Sequence, residues 1–174
     1  MSGGTLLDLV IHDFDWLRWT FGEVDRVFCK ATCASLPPDA ILDKDYALAT
    51  LRFQSGVIAR VEATWADPGG FKANFEVAGD SGLLEGAFNQ PSSPAFVSAI
   101  EATDSQRQSV PVPESPLAMN PYRAELEHFV DCLVNGTKPI VTARDGRESV
   151  RIALACIESA RTGKAVSVNA GEGS

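Results

Sequence analysis

The sequence predicts an α+β fold, in which an open, mainly antiparallel β-sheet has helices packed on one face. Three segments of alternating apolar and polar residues and a fourth strand candidate follow one another between residues 45 and 87, joined only by short turns. Strands connected in this way pair antiparallel. Segments with helical periodicity precede and follow them, and 174 residues are enough for one domain with a core.

The first element is predicted as a single helix over residues 6–21. Its apolar residues recur at spacings of three and four, and Gly22 follows as a stop signal. Thr5 is predicted as the N-cap, with Asp8 three positions later completing a loose capping box. The segment is apolar on most sides, so we expect it to be well buried.

Strands are predicted at residues 24–35, 45–53, 57–65, 71–78 and 83–87. The second and third form a hairpin across Ser55-Gly56. In the second strand, Ala47, Ala49, Leu51 and Phe53 share the face expected to meet the core. The opposite face should meet water or a partner, and it carries Thr50, Arg52, Arg60, Glu62, Lys72 and Glu76.

The remaining sequence is predicted to contain two helices. Residues 96–103 and 108–112 are weaker strand candidates, and residues 111–121 are proline-rich and extended. A helix over 122–133 ends at Asn135-Gly136, and a longer one over 143–162 is capped by Thr142 and ended by Gly163. A short strand at 165–168 and a disordered tail at 169–174 complete the prediction.

The overall charge argues against two classes of partner. The formal net charge is −8, which disfavours nucleic acid and anionic membranes. No apolar run is long enough to span a bilayer and the start does not resemble a secretory signal, so a cytoplasmic location is predicted. Four cysteines without paired zinc-site spacing are expected to be reduced thiols.

Asp8 and His12 are the residues with the strongest chemical signal. On one helix, a spacing of four places both side chains on the same face. A carboxylate beside an imidazole orients the ring and favours its protonated form, which suits a proton acceptor working near neutral pH. A purely structural pair is the alternative. Asp15, three residues beyond His12, is positioned to line the same site.

A metal site is a weaker alternative. Glu125 and His128 form an E-x-x-H pair that, with Asp8 and His12, resembles the carboxylate–histidine sites of helical bundles. Such sites need four ligand-bearing helices, and this chain shows about three beside a large sheet, so no metal is predicted. The sequence contains no G-x-G-x-x-G, so no dinucleotide site is predicted in this chain.

The segment 3–13, GGTLLDLVIHD, resembles the "GGG-x-L-x-D-x-G-x-H" signature of the glucose–fructose oxidoreductase / inositol dehydrogenase / rhizopine-catabolism (Gfo/Idh/MocA) family. Further segments resemble the same family at residues 17–27, 45–57, 75–82, 127–139 and 145–163. The resemblance covers nearly the whole chain, and the combination is more specific than any one segment.

The resemblance implies that residues 1–168 form the C-terminal domain of an inositol dehydrogenase-like enzyme, with the open sheet of the glyceraldehyde-3-phosphate dehydrogenase-like C-terminal fold. It implies that His12 takes the proton of a sugar or polyol hydroxyl while hydride leaves the same carbon for nicotinamide. Asp8 would orient His12, and Asp15 would contact substrate. Such a domain binds its small-molecule substrate and forms homo-oligomers, here through the open sheet face.

The sequence departs from the family pattern at three places. The Rossmann fingerprint and the E-K-P segment, whose lysine completes the usual catalytic set, are missing, and Val10 stands where glycine is common. We therefore expect a fragment of a dehydrogenase acting on CH–OH groups, inactive alone, with NAD or NADP bound only in the full-length enzyme. The alternative is a non-enzymatic binding or assembly module that retains the fold.

Overall fold

The computed structural model describes residues 3–33, 44–66, 72–88 and 121–168. The chain divides into two compact units, residues 1–66 with 138–174 and residues 67–137. The predicted strands at 96–103 and 108–112 and the predicted tail at 169–174 lie outside the described residues.

Ten helices and strands are assigned in the described residues. In chain order they are α1 Gly4–Asp8, α2 Ile11–Phe21, β1 Val24–Thr32, β2 Tyr46–Phe53, β3 Ile58–Thr64, β4 Ala73–Gly79, β5 Gly82–Phe88, α3 Pro121–Asn135, α4 Ala143–Thr162 and β6 Val166–Ser167. The predicted α+β class is confirmed. Most predicted boundaries differ from the observed ones by one to three residues, because helix and strand ends are weakly specified by local sequence.

The larger unit is built on a four-stranded antiparallel sheet in the order β3-β2-β1-β6. The predicted hairpin is confirmed, and its register pairs Ala49 with Val61 and Leu51 with Ala59. The predicted inward face of β2 is also confirmed, since Leu51 and Phe53 are fully buried. The helix α4 packs against β1, α1 and α2, so these three helices lie on one side of this sheet.

The helix α4 begins at the predicted cap. Thr142 has an extended backbone, its side chain accepts a hydrogen bond from the Asp145 amide, and the Asp145 carboxylate accepts one from the Thr142 amide. The predicted end is also confirmed, because Gly163 follows the helix at a φ of 68°. Both signals are local in sequence, which explains why they could be recognised there.

This cap predicts an acid-sensitive contribution to stability. Hydrogen bonds from Thr142, assisted by Arg18, lower the pKa of Asp145 from 3.8 to about 2. Because the folded-state pKa is lowered, the stabilisation is fully present above pH 3.8 and is lost as the pH falls towards 2. Asp145→Ala should lower the free energy of unfolding by about 1 kcal/mol near neutral pH. In urea titrations this difference from wild type should shrink between about pH 4 and pH 2. Glu158→Ala, at the exposed end of α4, is the control, and an equal loss there would contradict the assignment.

The smaller unit contains the hairpin β4-β5 and the helix α3. Among the described residues, β4 and β5 pair only with each other. The described strands therefore form two sheets, whereas the sequence predicted one. On α3, Cys132 Sγ lies 3.5 Å from His128 Nε2, one helical turn away.

All four cysteines are free thiols. None of the helices in the described ranges has the length and apolarity that crossing a membrane requires.

Candidate functional site

The segment that carries Asp8 and His12 is two helices, so the prediction of one continuous helix is wrong. The Thr5 carbonyl accepts hydrogen bonds from the amides of both Leu9 (3.1 Å) and Val10 (2.9 Å). The second bond reaches back five residues and widens the turn. The amide of His12 then donates to the carbonyl of Leu9, three residues back. This shorter-range bond tightens the backbone again at the start of α2. Asp8 is the last residue of α1, and His12 is the second of α2.

Thr5 does not cap the helix, so that prediction is also wrong. The N-cap is Gly3, at a φ of 92°, and it makes no side-chain cap bond. Thr5 lies inside α1 and is fully buried. Its hydroxyl donates to the Lys44 carbonyl at 2.6 Å, and its amide donates to the same oxygen at 2.9 Å. A buried hydroxyl needs a partner, and this partner is 39 residues away in sequence.

Asp8 and His12 are both exposed to solvent. Within the described residues no hydrogen bond or ion pair joins them, and they lie on either side of the break between α1 and α2. Asp13 lies beside them. Loss of surrounding water raises the pKa of its carboxyl group, and the neighbouring His12 partly offsets that rise. The turn thus presents an imidazole with carboxylates on both sides in sequence.

Asp15 points towards α4. One of its carboxylate oxygens accepts a hydrogen bond from the Ser149 hydroxyl at 3.0 Å. One turn later, Arg18 binds Glu23 at 2.8 Å and also binds Asp145. Asp15 therefore helps to hold α2 against α4. Its predicted contact with substrate stays a prediction.

Comparison with known proteins fits this architecture. Residues 1–168 match the family model of the oxidoreductase family C-terminal alpha/beta domain, GFO_IDH_MocA_C. The chain belongs to the Gfo/Idh/MocA oxidoreductase family. The match extends over nearly the whole chain and includes the segment with Asp8 and His12.

Several relatives are inositol dehydrogenases. The chain is 31% identical over 170 residues to scyllo-inositol 2-dehydrogenase (NAD(+)) of Bacillus subtilis, covering 97% of this chain and 48% of that protein. It is 28% identical to myo-inositol 2-dehydrogenase of Thermotoga maritima, covering 91% and 47%. A crystal structure of a myo-inositol dehydrogenase from Corynebacterium glutamicum superposes with a TM-score of 0.74 at 27% identity, covering 97% and 50%. The chain therefore spans about half the length of these Gfo/Idh/MocA relatives.

Val10 departs from the glycine that is common in the Gfo/Idh/MocA signature. Its backbone is helical, with φ −69° and ψ −19°, and its side chain is almost completely buried. Any L-amino acid adopts this conformation. The departure is therefore accommodated without backbone strain, and it adds an apolar side chain to the core under the turn.

The alternative of a metal site requires several ligand side chains grouped together. In the described ranges, no three histidine, cysteine, aspartate or glutamate side chains are grouped so as to hold a metal ion. Asp8 and His12 belong to the larger unit, whereas Glu125 and His128 belong to the smaller one.

Gly3, the N-cap of α1, has a testable role. Gly3 has a φ of 92°, and a Cβ added there would lie 2.7 Å from Leu7 Cδ1 and 2.9 Å from Leu7 Cβ. Gly3→Ala should therefore destabilise the chain by at least about 1–2 kcal/mol. The control is Gly146→Ala in α4, where an added Cβ meets no atom within 4 Å. That change should stabilise the helix by about 0.5–1 kcal/mol. Thermal unfolding of both variants measures the contrast, and a shift of the same sign in both would contradict it.

Proposed function

We propose that the chain is the substrate-side domain of an NAD(P)-dependent dehydrogenase, which moves hydride between a hydroxyl-bearing carbon of a sugar or inositol-like polyol and nicotinamide. The observation that carries the proposal is that Asp8 and His12, whose spacing resembles the D-x-x-x-H of the family signature, are both exposed in a segment inside the family match. The naming of two relatives as inositol 2-dehydrogenases supports the substrate class.

In this proposal His12 is the general base. An exposed imidazole at the start of α2 is able to accept the substrate hydroxyl proton. Asp8 orients the ring once substrate closes the site, because catalytic hydrogen bonds are often formed only in the complex. Asp15 contributes by holding α2 in place or by contacting substrate.

The described residues do not fit a dinucleotide. Their strands are antiparallel, and the sequence has no glycine-rich strand–helix turn to receive a pyrophosphate. We therefore assign NAD or NADP to a further domain of the full-length enzyme. A cytoplasmic location is part of the same proposal.

The assay of the full-length polypeptide tests this function. The polypeptide is incubated with NAD⁺ or NADP⁺ and with scyllo-inositol, myo-inositol or D-xylose. Formation of the reduced nicotinamide is followed by absorbance. Turnover of at least one polyol supports the proposal. Absence of turnover, with no G-x-G-x-x-G encoded in the same reading frame, would instead support the alternative of a binding or assembly module.

The open face of the four-stranded sheet is proposed as the homo-oligomer contact. It mixes apolar side chains with charges of both signs: Phe28, Leu48, Ile58, Arg26, Arg52, Arg60 and Glu62. Phe28 is 40% exposed and Ile58 is 71% exposed. Such a surface is typical of an interface between subunits.

We expect the isolated chain to form dimers or tetramers at micromolar concentration, measured by light scattering. Ile58→Asp should shift the population to monomers, because it places a charge in the apolar part of the contact. Leu154→Asp on α4, where Leu154 is 52% exposed, is the matched control. A monomeric wild type, or dissociation by the control instead, would rule this contact out.

A further inference from the structure

We propose that Thr5 is a positioning residue for Asp8 and His12, and that its hydroxyl sets the geometry of the turn between them. This inference rests on the proposed function of the Asp8–His12 pair. Among the described residues, no hydrogen bond joins Thr5 to either side chain. It acts through the backbone, since its carbonyl is the common acceptor for the Leu9 and Val10 amides that form the turn.

The turn is anchored to the sheet through the same residue. The Lys44 carbonyl, two residues before β2, accepts from both the amide and the hydroxyl of Thr5. Asp45, next to Lys44, is fully buried, so the acceptor lies on a fixed part of the chain. The path therefore runs from the start of β2 through Thr5 to the amides of Leu9 and Val10, which form the break between α1 and α2. A displacement at Thr5 moves Asp8 and His12 relative to each other.

The hydroxyl cannot be replaced by a methyl group without such a displacement. The oxygen–oxygen distance is 2.6 Å, whereas a methyl carbon needs about 3.3 Å or more from a carbonyl oxygen. Thr5→Val thus preserves shape and burial but pushes α1 away from Lys44. Thr5→Ser keeps the donor and should keep the geometry. Thr5→Ala removes the hydroxyl without placing a methyl group against the Lys44 carbonyl. This variant replaces Thr5→Val in the experiments if the valine variant does not fold.

The chain by itself tests the backbone part. In Thr5→Val, the amides of Leu9 and Val10 should exchange with deuterium on the order of tenfold faster than in wild type, measured by NMR. Thr5→Ser should exchange at the wild-type rate. The matched control is Thr162→Val, which removes an exposed hydroxyl that donates to the Glu158 carbonyl at 2.8 Å. Unchanged Leu9 and Val10 exchange in Thr5→Val would overturn the proposal.

The full-length enzyme tests the catalytic part. Thr5→Val should lower kcat on the order of 10- to 100-fold with little change in KM, and Thr5→Ser should restore it. A purely structural role would lower the yield of folded enzyme but leave kcat per folded molecule at the wild-type value, and that result would overturn the inference. His12→Ala is measured in parallel. If it alone abolishes turnover, the function stands and Thr5 has no positioning role; if it leaves turnover intact, the function fails and the inference fails with it.

Discussion

His12→Ala is expected to reduce kcat of the full-length enzyme by ~10²-fold or more, as loss of a general base does. The chain contains two histidines, and His12 is the one proposed as the general base, because its spacing from Asp8 resembles the family's D-x-x-x-H. It is exposed at the start of α2, and within the described residues its imidazole takes part in no hydrogen bond, although its amide donates to the Leu9 carbonyl. The loss should therefore come from chemistry, and KM should change much less than kcat.

The second histidine provides the control. His128 lies on α3 in the smaller unit, in contact with Cys132, and has no role in the proposed chemistry. His128→Ala should retain most of the turnover. His12→Ala should also unfold at nearly the wild-type temperature, because exposed substitutions usually change stability by less than about 0.5 kcal/mol. Wild-type turnover in His12→Ala at saturating substrate and neutral pH would remove the assignment.

Phe14→Ala is expected to lower the free energy of unfolding of the chain by about 3–5 kcal/mol. Phe14 lies on the inner side of α2 with an exposed fraction of 0%, in the core shared with Val10, Leu51 and Ile152. Truncation removes the buried ring and leaves a cavity that the surrounding core residues can fill only partly. Urea unfolding at equilibrium, followed by circular dichroism, measures the change.

A second aromatic residue of the same helix makes the comparison direct. Trp19 is 76% exposed on α2, so Trp19→Ala removes a larger side chain that contributes little buried area in the isolated chain. The expected change is within about 0.5 kcal/mol. Equal losses for the two variants would mean that Phe14 is no more deeply packed than Trp19.

Local sequence patterns were sufficient for much of the fold. The alternation in 45–53 and 57–65 predicted the hairpin and its inward face, because side chains of a strand point alternately to opposite sides. The Thr142 cap and the Gly163 stop were also recognisable, since each depends on residues within one helical turn. The assignment of Asp8 and His12 to the site rests on the resemblance to the family signature and stays a prediction, since spacing alone left a structural role open.

Long-range contacts explain what the sequence did not reveal. The bond from Thr5 to Lys44 joins residues 39 positions apart, and that from Ser149 to Asp15 joins residues 134 positions apart. No periodicity encodes such partners. The break at Leu9 and Val10 was missed because both residues continue the apolar helical pattern. In addition, valine stands at position 10, where the family signature commonly has glycine. The separation of β4 and β5 from the first sheet likewise depends on tertiary structure.

One carboxylate, that of Asp145, takes part in two contacts at once. It closes the first turn of α4 and it also binds Arg18 near the end of α2. A helix start ordinarily frays independently of its neighbours. Here, fraying at the start of α4 removes a contact to α2, so the opening of that turn and the loosening of the two helices form one cooperative event. The helix that bears His12 thereby shares the local stability of α4 instead of having its own.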